Sequence, residues 1–402
     1  MRGTSRAGIK VGLPRRLVAR LWAWVALDAA ALAALGAVVA GGSLRRWAAW
    51  LPASLLVAAY GLAFCGSRLY LHRRPSESRV SPVLGPGMNL TLLRGLWIAP
   101  LAGLLFLPPL VGAKAWLPAL LYTGAAIADQ FDGYLARRTG LATPLGEALD
   151  LEFDGLGMLL AVAVAIHVGH LPLAFIAVGL ARYGFVIWKL FWSRMRGGAR
   201  EIPASMTRRA IAGLEMGFVS AALWPIIPPE LAALAGWIFA VPFFLSFGRD
   251  AAVVAGWIDV ASPAYQLWRS RLRDAATRWT PPLLRVGLLL VWGPVTVARL
   301  SGVQEWAATL TNAGVANSLT WGLLSALVQA AALMAVAIGF LGRAAAFLLV
   351  LVNGLLMAAL GVTPAGLTGF ALASAVLILG TGPLSAWSPE GAWLGKRRGG
   401  LA

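Results

Sequence analysis

Charge is scarce in this chain of 402 residues. Only 12% are Asp, Glu, Lys or Arg, about half the roughly 25% of an ordinary soluble protein. So few charges cannot coat a water-soluble globule of this length, and a chain that is 59% hydrophobic with a mean hydropathy of +0.76 is not disordered either. Cysteine is nearly absent. Cys65 stands alone, which excludes an internal disulfide and a cysteine-built zinc site. The three histidines, His72, His167 and His170, are too few and too scattered for most histidine-based metal sites. What remains is a polytopic membrane protein, and 18 Trp with 46 Gly suit one.

Acidic residues are scarcer than basic ones, 16 against 34, giving a formal net charge of +18. The basic residues fall in short clusters between apolar runs, as cytoplasmic loops do, so nucleic acid is not expected as a partner. The opening stretch (Arg2, Arg6, Lys10, Arg15, Arg16) leads into an apolar run near 17–40, longer than a signal-peptide core and without a convincing small-x-small cleavage site. A second run covers 48–66. A polar linker follows at 67–88 and carries His72-Arg73-Arg74. Six more runs lie near 90–110, 115–137, 145–168, 171–193, 208–227 and 231–248, each near the ~20 residues that cross a bilayer. After Arg249-Asp250 comes a mixed stretch ending in Arg269 to Arg278, interleaved with Trp268, Leu272 and Trp279 as in a helix lying on an anionic surface. Pro281-Pro282 opens a last group of four runs, near 283–300, 318–340, 344–361 and 366–385, before Lys396-Arg397-Arg398.

This predicts an all-α protein of twelve spanning helices in four parts: 1–84, 85–250, a basic linker at 251–280, and 281–402. With the N-terminus cytoplasmic, every large basic cluster falls inside and only Arg45-Arg46, Lys114 and Arg299 fall outside. His167 and His170 then belong to an outer turn, as solvated residues.

Chemistry concentrates in Asp129 to Asp154, which reads DQFDGYLARRTGLATPLGEALDLEFD. Ionised carboxylates at membrane depth cost roughly 2.5–3.5 kcal/mol each on insertion scales, so four of them mark a functional site. Asp129 and Asp132 are three apart on one helix face. Gly146, Asp150 and Asp154 recur every four on the next. The intervening residues permit a tight return, so the two faces can meet. Converging carboxylates need cations, and hard oxygen ligands without His or Cys select Mg²⁺, Mn²⁺ or Ca²⁺. Two ions ~3.5–4 Å apart would clamp phosphate oxygens. Gly133, Ala136 and Gly146 remove bulk beside the carboxylates, and Arg137 offers a fork of donors to a phosphate.

The pattern Asp129-x-x-Asp132-Gly133-x-x-Ala136-Arg137, eight residues, Gly146-x-x-x-Asp150-x-x-x-Asp154 resembles the signature of the CDP-alcohol phosphatidyltransferases at each defined position. The resemblance covers about residues 85–250. It implies a six-helix core flanked here by two N-terminal and four C-terminal helices, with the active site at the cytoplasmic face of the cell (inner) membrane. The implied reaction moves a phosphatidyl group from CDP-diacylglycerol to an alcohol acceptor and releases CMP. Asp129, Asp132, Asp150 and Asp154 become ligands of two divalent ions, Mg²⁺ or Mn²⁺, with Asp154 also the catalytic base. Gly133, Ala136, Arg137, Thr143 and Gly146 become contacts of the nucleotide-lipid. Upstream, Asn89-x-Thr91-x-x-Arg94 is similar to the start of the family's first core helix, which places Thr91 and Arg94 at the substrate. Arg94 also reads as an interfacial anchor. A homodimer is a possible partner on the same resemblance.

The acceptor side is less patterned. Ser205-Met-Thr207-Arg208-Arg209 stands where family members place basic residues, without the Gly-Lys-x-Lys-Thr pattern of glycerol-phosphate enzymes. Arg182, inside an apolar run, would bind an acceptor phosphate or pair with Glu215. Candidate acceptor residues are therefore Arg182, Arg208 and Arg209. The last four helices resemble, loosely and without a catalytic motif, the DoxX-like family. The alternative to catalysis is a silent membrane scaffold or transporter that retains the fold and binds a nucleotide-lipid.

The charge pattern places the 168–171 turn outside and 67–88 inside. A cysteine introduced at Gly169 should react with a membrane-impermeant maleimide from the outer side only, and labelling solely from the cytoplasmic side would reverse the orientation.

Overall fold

The computed structural model describes residues 3–4, 10–11, 14–73, 79–196, 202, 206–382 and 384–387, with 3–4, 10–11 and 206–207 described by their backbone alone. Arg2, Arg6, Arg74, Ser205 and Lys396 to Arg398 lie outside the described residues. The described chain is helical apart from a two-residue antiparallel pairing of Gly3–Thr4 with Lys10–Val11 and an isolated bridge at Phe340 and Trp387. Thirteen α-helices are described, and seven are long and apolar enough to cross a membrane. The protein is polytopic. Its helices fall into two compact units, Met1–Ile258 and Asp259–Ala402.

The first unit holds α1 (Arg15–Ala40), α2 (Leu44–Ser67), α3 (Pro86–Leu104), α4 (Leu117–Arg138), α5 (Pro144–His167), α6 (Ile176–Arg196), α7 (Met206–Ala222) and α8 (Pro229–Val254). Local signals set the ends. Gly41, at φ +56°, closes α1 in the left-handed region that favours glycine, and Ser43 caps α2 by accepting from the Arg46 amide. Thr143 caps α5 the same way for the Gly146 amide, with Pro144 at the first helical position. α3 is apolar almost all round and is buried continuously from Ile98 to Leu104, so it forms the centre on which α2, α4 and α5 pack.

Small residues let those backbones approach, the usual device where lipid supplies no hydrophobic drive between helices. A Cβ at Gly103 would fall 2.4 Å from the Trp50 carbonyl oxygen of α2. The ring of Phe153 on α5 fills the notches at Gly61 of α2 and Gly95 of α3. A Cβ at Gly87 would fall 2.5 Å from the carbonyl oxygen of Asp132. The start of α3 therefore lies directly against the first carboxylate helix.

The second unit holds α9 (Pro263–Ser301), α10 (Val303–Asn312), α11 (Ser318–Ile338), α12 (Gly342–Leu360) and α13 (Pro364–Leu379), around a core that includes Leu288, Trp292, Val336, Ala346, Leu349 and Val376. Here the structure departs from the sequence reading twice. No break occurs at Pro281-Pro282, because α9 runs through both prolines for 39 residues, and the compact units divide after Ile258 instead. The carbonyls those prolines free, of Thr277 and Arg278, belong to exposed residues that water can serve. The basic stretch at 269–278 is thus the exposed beginning of a spanning helix rather than a separate linker. A ten-residue helix, α10, also joins the group, too short to register as a span.

A smaller correction concerns the outer turn. His167 and His170 are half-buried, bonded to the carbonyl oxygens of Leu107 (2.7 Å) and Ala222 (2.5 Å). Carbonyls at and just beyond helix ends lack intrahelical partners, and these imidazoles serve two of them.

Gly87→Val should lower the melting temperature of the detergent-purified protein, since over-packing at a close crossing typically costs ~1–3 kcal/mol. Gly184→Ala, where an added Cβ meets nothing within 4 Å, is the control and should leave it unchanged or slightly raised. Equal melting temperatures for the two variants would show that the α3–α4 crossing is loose.

Candidate active site

α4 and α5 are antiparallel neighbours across a short turn, and each carries two aspartates on the face toward α3. Their carboxylates converge on one side chain, Arg94 of α3, which is 1% exposed. Its Nη1 lies 2.7 Å from Asp129, 3.1 Å from Asp132 and 2.5 Å from Asp150, and its Nη2 pairs with Asp154. Thr91, one turn earlier, donates to Asp132 at 3.0 Å and to the Gly87 carbonyl at 3.1 Å. Thr91 and Arg94 thus lie against the aspartates, and Arg94 is buried among them rather than at a helix end facing the interface. It is the cation at the centre of the cluster. Its Nε is buried without a partner, so the guanidinium is aimed by its two terminal nitrogens alone.

With all four carboxylates ionised, they and the one guanidinium carry a formal charge of −3 at the centre of the cluster. Ligand oxygens of Asp129, Asp132 and Asp150 lie within 4.8 Å of one another, and no His or Cys is bonded to them, so the donor set fits a hard divalent cation. One dication would bring the sum to −1, and two to +1, a charge suited to a diphosphate. The side chains of Asp150 and Asp154 are 42% and 36% exposed against 6% for Asp132. The cluster is therefore open on the α5 side, where a ligand would enter.

The small residues do what their size permits. Ala136 packs with Asp132 against Gly87, and larger side chains there would separate α3 from α4. Gly146 has only the Thr143 hydroxyl near it, and Gly133 has only the Arg137 guanidinium, 3.1 Å from the position of an added Cβ. Arg137 is exposed and has no hydrogen-bond or ion-pair partner among the described residues. Its donors are available. Thr143 is buried, and its hydroxyl is used by the α5 cap and by His72 Nδ1 at 3.4 Å.

The acceptor candidates are not gathered together. Arg182 of α6 pairs with Glu152 of α5 at 3.3 Å, not with Glu215, which is buried on α7 with Oε1 unpartnered. The Arg182 stem lies in the notch at Gly155, beside Asp154. Arg208 pairs with Asp250 of α8 at 3.2 Å, and Arg209 is exposed. Three residues escaped the sequence reading. Glu152 sits two positions from each of two motif aspartates and faces away from them, bridging Arg182 and the Tyr60 hydroxyl (2.6 Å) of α2. His72, in the polar linker, is 1% exposed and also bonds the Val83 carbonyl at 3.0 Å. Burial holds its imidazole below the ordinary range, a hydrogen bond to Val83 opposing this only in part. The signal for Glu152 was its position inside the acidic run; nothing local marked Tyr60 or His72.

The helical unit thus presents a carboxylate centre whose oxygens could hold a divalent cation. Residues 88–248 match the family model described as CDP-alcohol phosphatidyltransferase. That segment begins at the start of α3 and ends within α8, so it contains all four aspartates. No curated protein and no solved structure matches the chain.

Arg94→Gln removes the cluster's only cation, and breaking a buried charge pair from one side typically costs ~3–5 kcal/mol. The variant should melt well below the wild type in EDTA and recover when Mg²⁺ is added. A melting temperature equal to wild type in EDTA would mean that Arg94 does not neutralise the carboxylates.

Proposed function

We propose that residues 88–248 form a phosphatidyltransferase centre that moves a phosphatidyl group from CDP-diacylglycerol to an alcohol and releases CMP, at the cytoplasmic face of the cell membrane. The observation that carries this reading is the convergence of Asp129, Asp132, Asp150 and Asp154 on one point, in a segment matching the family model. Divalent ions, Mg²⁺ or Mn²⁺, held by these aspartates would supply charge neutralisation for the diphosphate and for the transferring phosphorus.

The chain's own groups do the rest. Arg137, unpaired and exposed at the end of α4, presents donors to the nucleotide diphosphate. Room for the ligand comes from Gly133 and Gly146. Asp154, on the open side, takes the proton of the acceptor hydroxyl as its oxygen attacks the phosphorus that bears diacylglycerol. The new P–O bond forms as the bond to the CMP oxygen breaks, and CMP leaves with that electron pair. Arg182, beside Gly155 and held by Glu152, would serve the acceptor. Phospholipid biosynthesis is the corresponding process.

The alternative, a scaffold or transporter that binds the nucleotide-lipid without turnover, draws on one observation: Arg94 already neutralises part of the cluster without a metal. CMP release decides between them. Membranes containing the protein should release CMP from CDP-diacylglycerol only with an alcohol and Mg²⁺ present, and binding without release would favour the alternative. Within the catalytic reading, Asp129→Asn, Asp132→Asn and Asp150→Asn should weaken metal affinity and regain part of their activity at high Mg²⁺. Asp154→Asn should lose about 10²–10⁴-fold, the usual worth of a general base, with lipid binding retained. Metal rescue of Asp154→Asn to near the wild-type rate would reduce Asp154 to a ligand.

A further inference from the structure

The second unit carries two arginines within its bundle, and they are satisfied in opposite ways. Arg285 of α9 donates to the carbonyl oxygens of Thr381 (3.2 Å), Leu384 (2.9 Å) and Ala337. Two of these lie just beyond α13 and one at the end of α11, where helix dipoles present negative charge. That arginine is fully explained as a structural tie. Arg299, four turns along the same helix, is not. It bonds the Oε1 of Gln329 on α11 and stacks over the Trp306 ring at 4.2 Å, and among the described residues no carboxylate lies within 4 Å of it. Glu305, nearest in sequence, turns back toward Gly302.

Arg299 stands half-buried in the last turn of α9, where the helix dipole favours a cation, but it has no ionised partner to complete the pair, so the place suits an anion. Three further observations agree. Arg299 lines a cavity of about 90 Å³ with Trp292, Asn353, Leu360, Thr363 and Gly366. Thr363 and Gly366 belong to the first turn of α13, a 16-residue helix, so its positive end borders the same space. Gln329 is 0% exposed, and its Nε2 has no partner although its Oε1 holds Arg299. A buried orphan donor on the very side chain that orients the cation is a costly arrangement with no structural return of its own.

The cavity's size limits the anion to a compact head, and its remaining wall is aliphatic. Leu356 of α12 lines this cavity and also an almost wholly apolar groove of about 260 Å³ between α10, α11 and α12, with Trp321, Leu324 and Val352. Polar pocket and apolar groove thus meet at one side chain. We propose that the Arg299 cavity is a second ligand site, separate from the carboxylate centre, and that it holds the phosphate head of a lipid whose chain lies along the Leu356 groove.

The test uses the full-length, detergent-purified protein with three probes: dioleoyl phosphatidic acid, dioleoylglycerol, which lacks the phosphate, and inorganic phosphate. Native mass spectrometry counts bound lipid, and thermal unfolding follows all three. Wild type should retain one more phosphatidic acid than Arg299→Gln, with that one binding at least about tenfold more weakly in the variant, as loss of a charged donor implies. Arg299→Lys should keep most of the affinity. Leu360→Trp, which fills the cavity and leaves the charge, should expel the same lipid, so the proposal remains testable if Arg299→Gln does not fold. Dioleoylglycerol should not compete. Equal lipid counts in wild type, Arg299→Gln and Leu360→Trp would overturn the site. Stabilisation by inorganic phosphate equal to that by phosphatidic acid would overturn the lipid in favour of a free anion.

Discussion

Four carboxylates drawn to one point within a helical membrane unit repel one another, and a low-dielectric surrounding strengthens that repulsion. Arg94 makes the assembly tolerable. It reaches all four, from a helix so apolar that its own burial is assured by the residues around it. Much else follows from placing that guanidinium correctly. α3 must be central, α4 must approach it closely enough for Gly87 to touch the Asp132 backbone, and α5 must present Asp150 and Asp154 from the opposite side. The residual formal charge leaves room for further cations, and the cluster is open on the α5 side.

The helices before residue 88 are not an independent addition. α2 supplies the Gly61 notch for Phe153, which lies between Asp150 and Asp154 in sequence, and Tyr60, which holds the outer carboxylate Glu152. The polar linker supplies His72, buried against the cap of α5. Each of these contacts bears on α5, the helix whose aspartates face the opening. α2 and the linker thus help to fix the register and rotation of that helix, with Phe153 held between α2 and α3. Glu152 does the same toward α6, since it holds Arg182 beside the helix turn of Asp154.

The sequence alone determined the all-helical membrane class, the approximate spans and the carboxylate constellation. These depend on composition, on runs of about twenty apolar residues and on three- and four-residue spacing, which are properties of the chain read locally. It also marked Thr91 and Arg94, though with Arg94 open between a substrate contact and an anchor. Tertiary structure showed a role that neither reading named, because only the meeting of α3 with α4 and α5 turns a helix-borne arginine into the counter-ion of residues 35 to 60 positions away. It decided the partner of Arg182 as well. Glu215 and Glu152 are equally plausible by composition, and helix rotation alone selects Glu152. The continuity of α9 through Pro281-Pro282 was likewise hidden, since a proline pair usually breaks a helix, whereas here the carbonyls it frees belong to the exposed Thr277 and Arg278. Spacing along one helix is fixed by its own geometry; which faces meet is fixed by packing between helices, and that is where the charges find their partners.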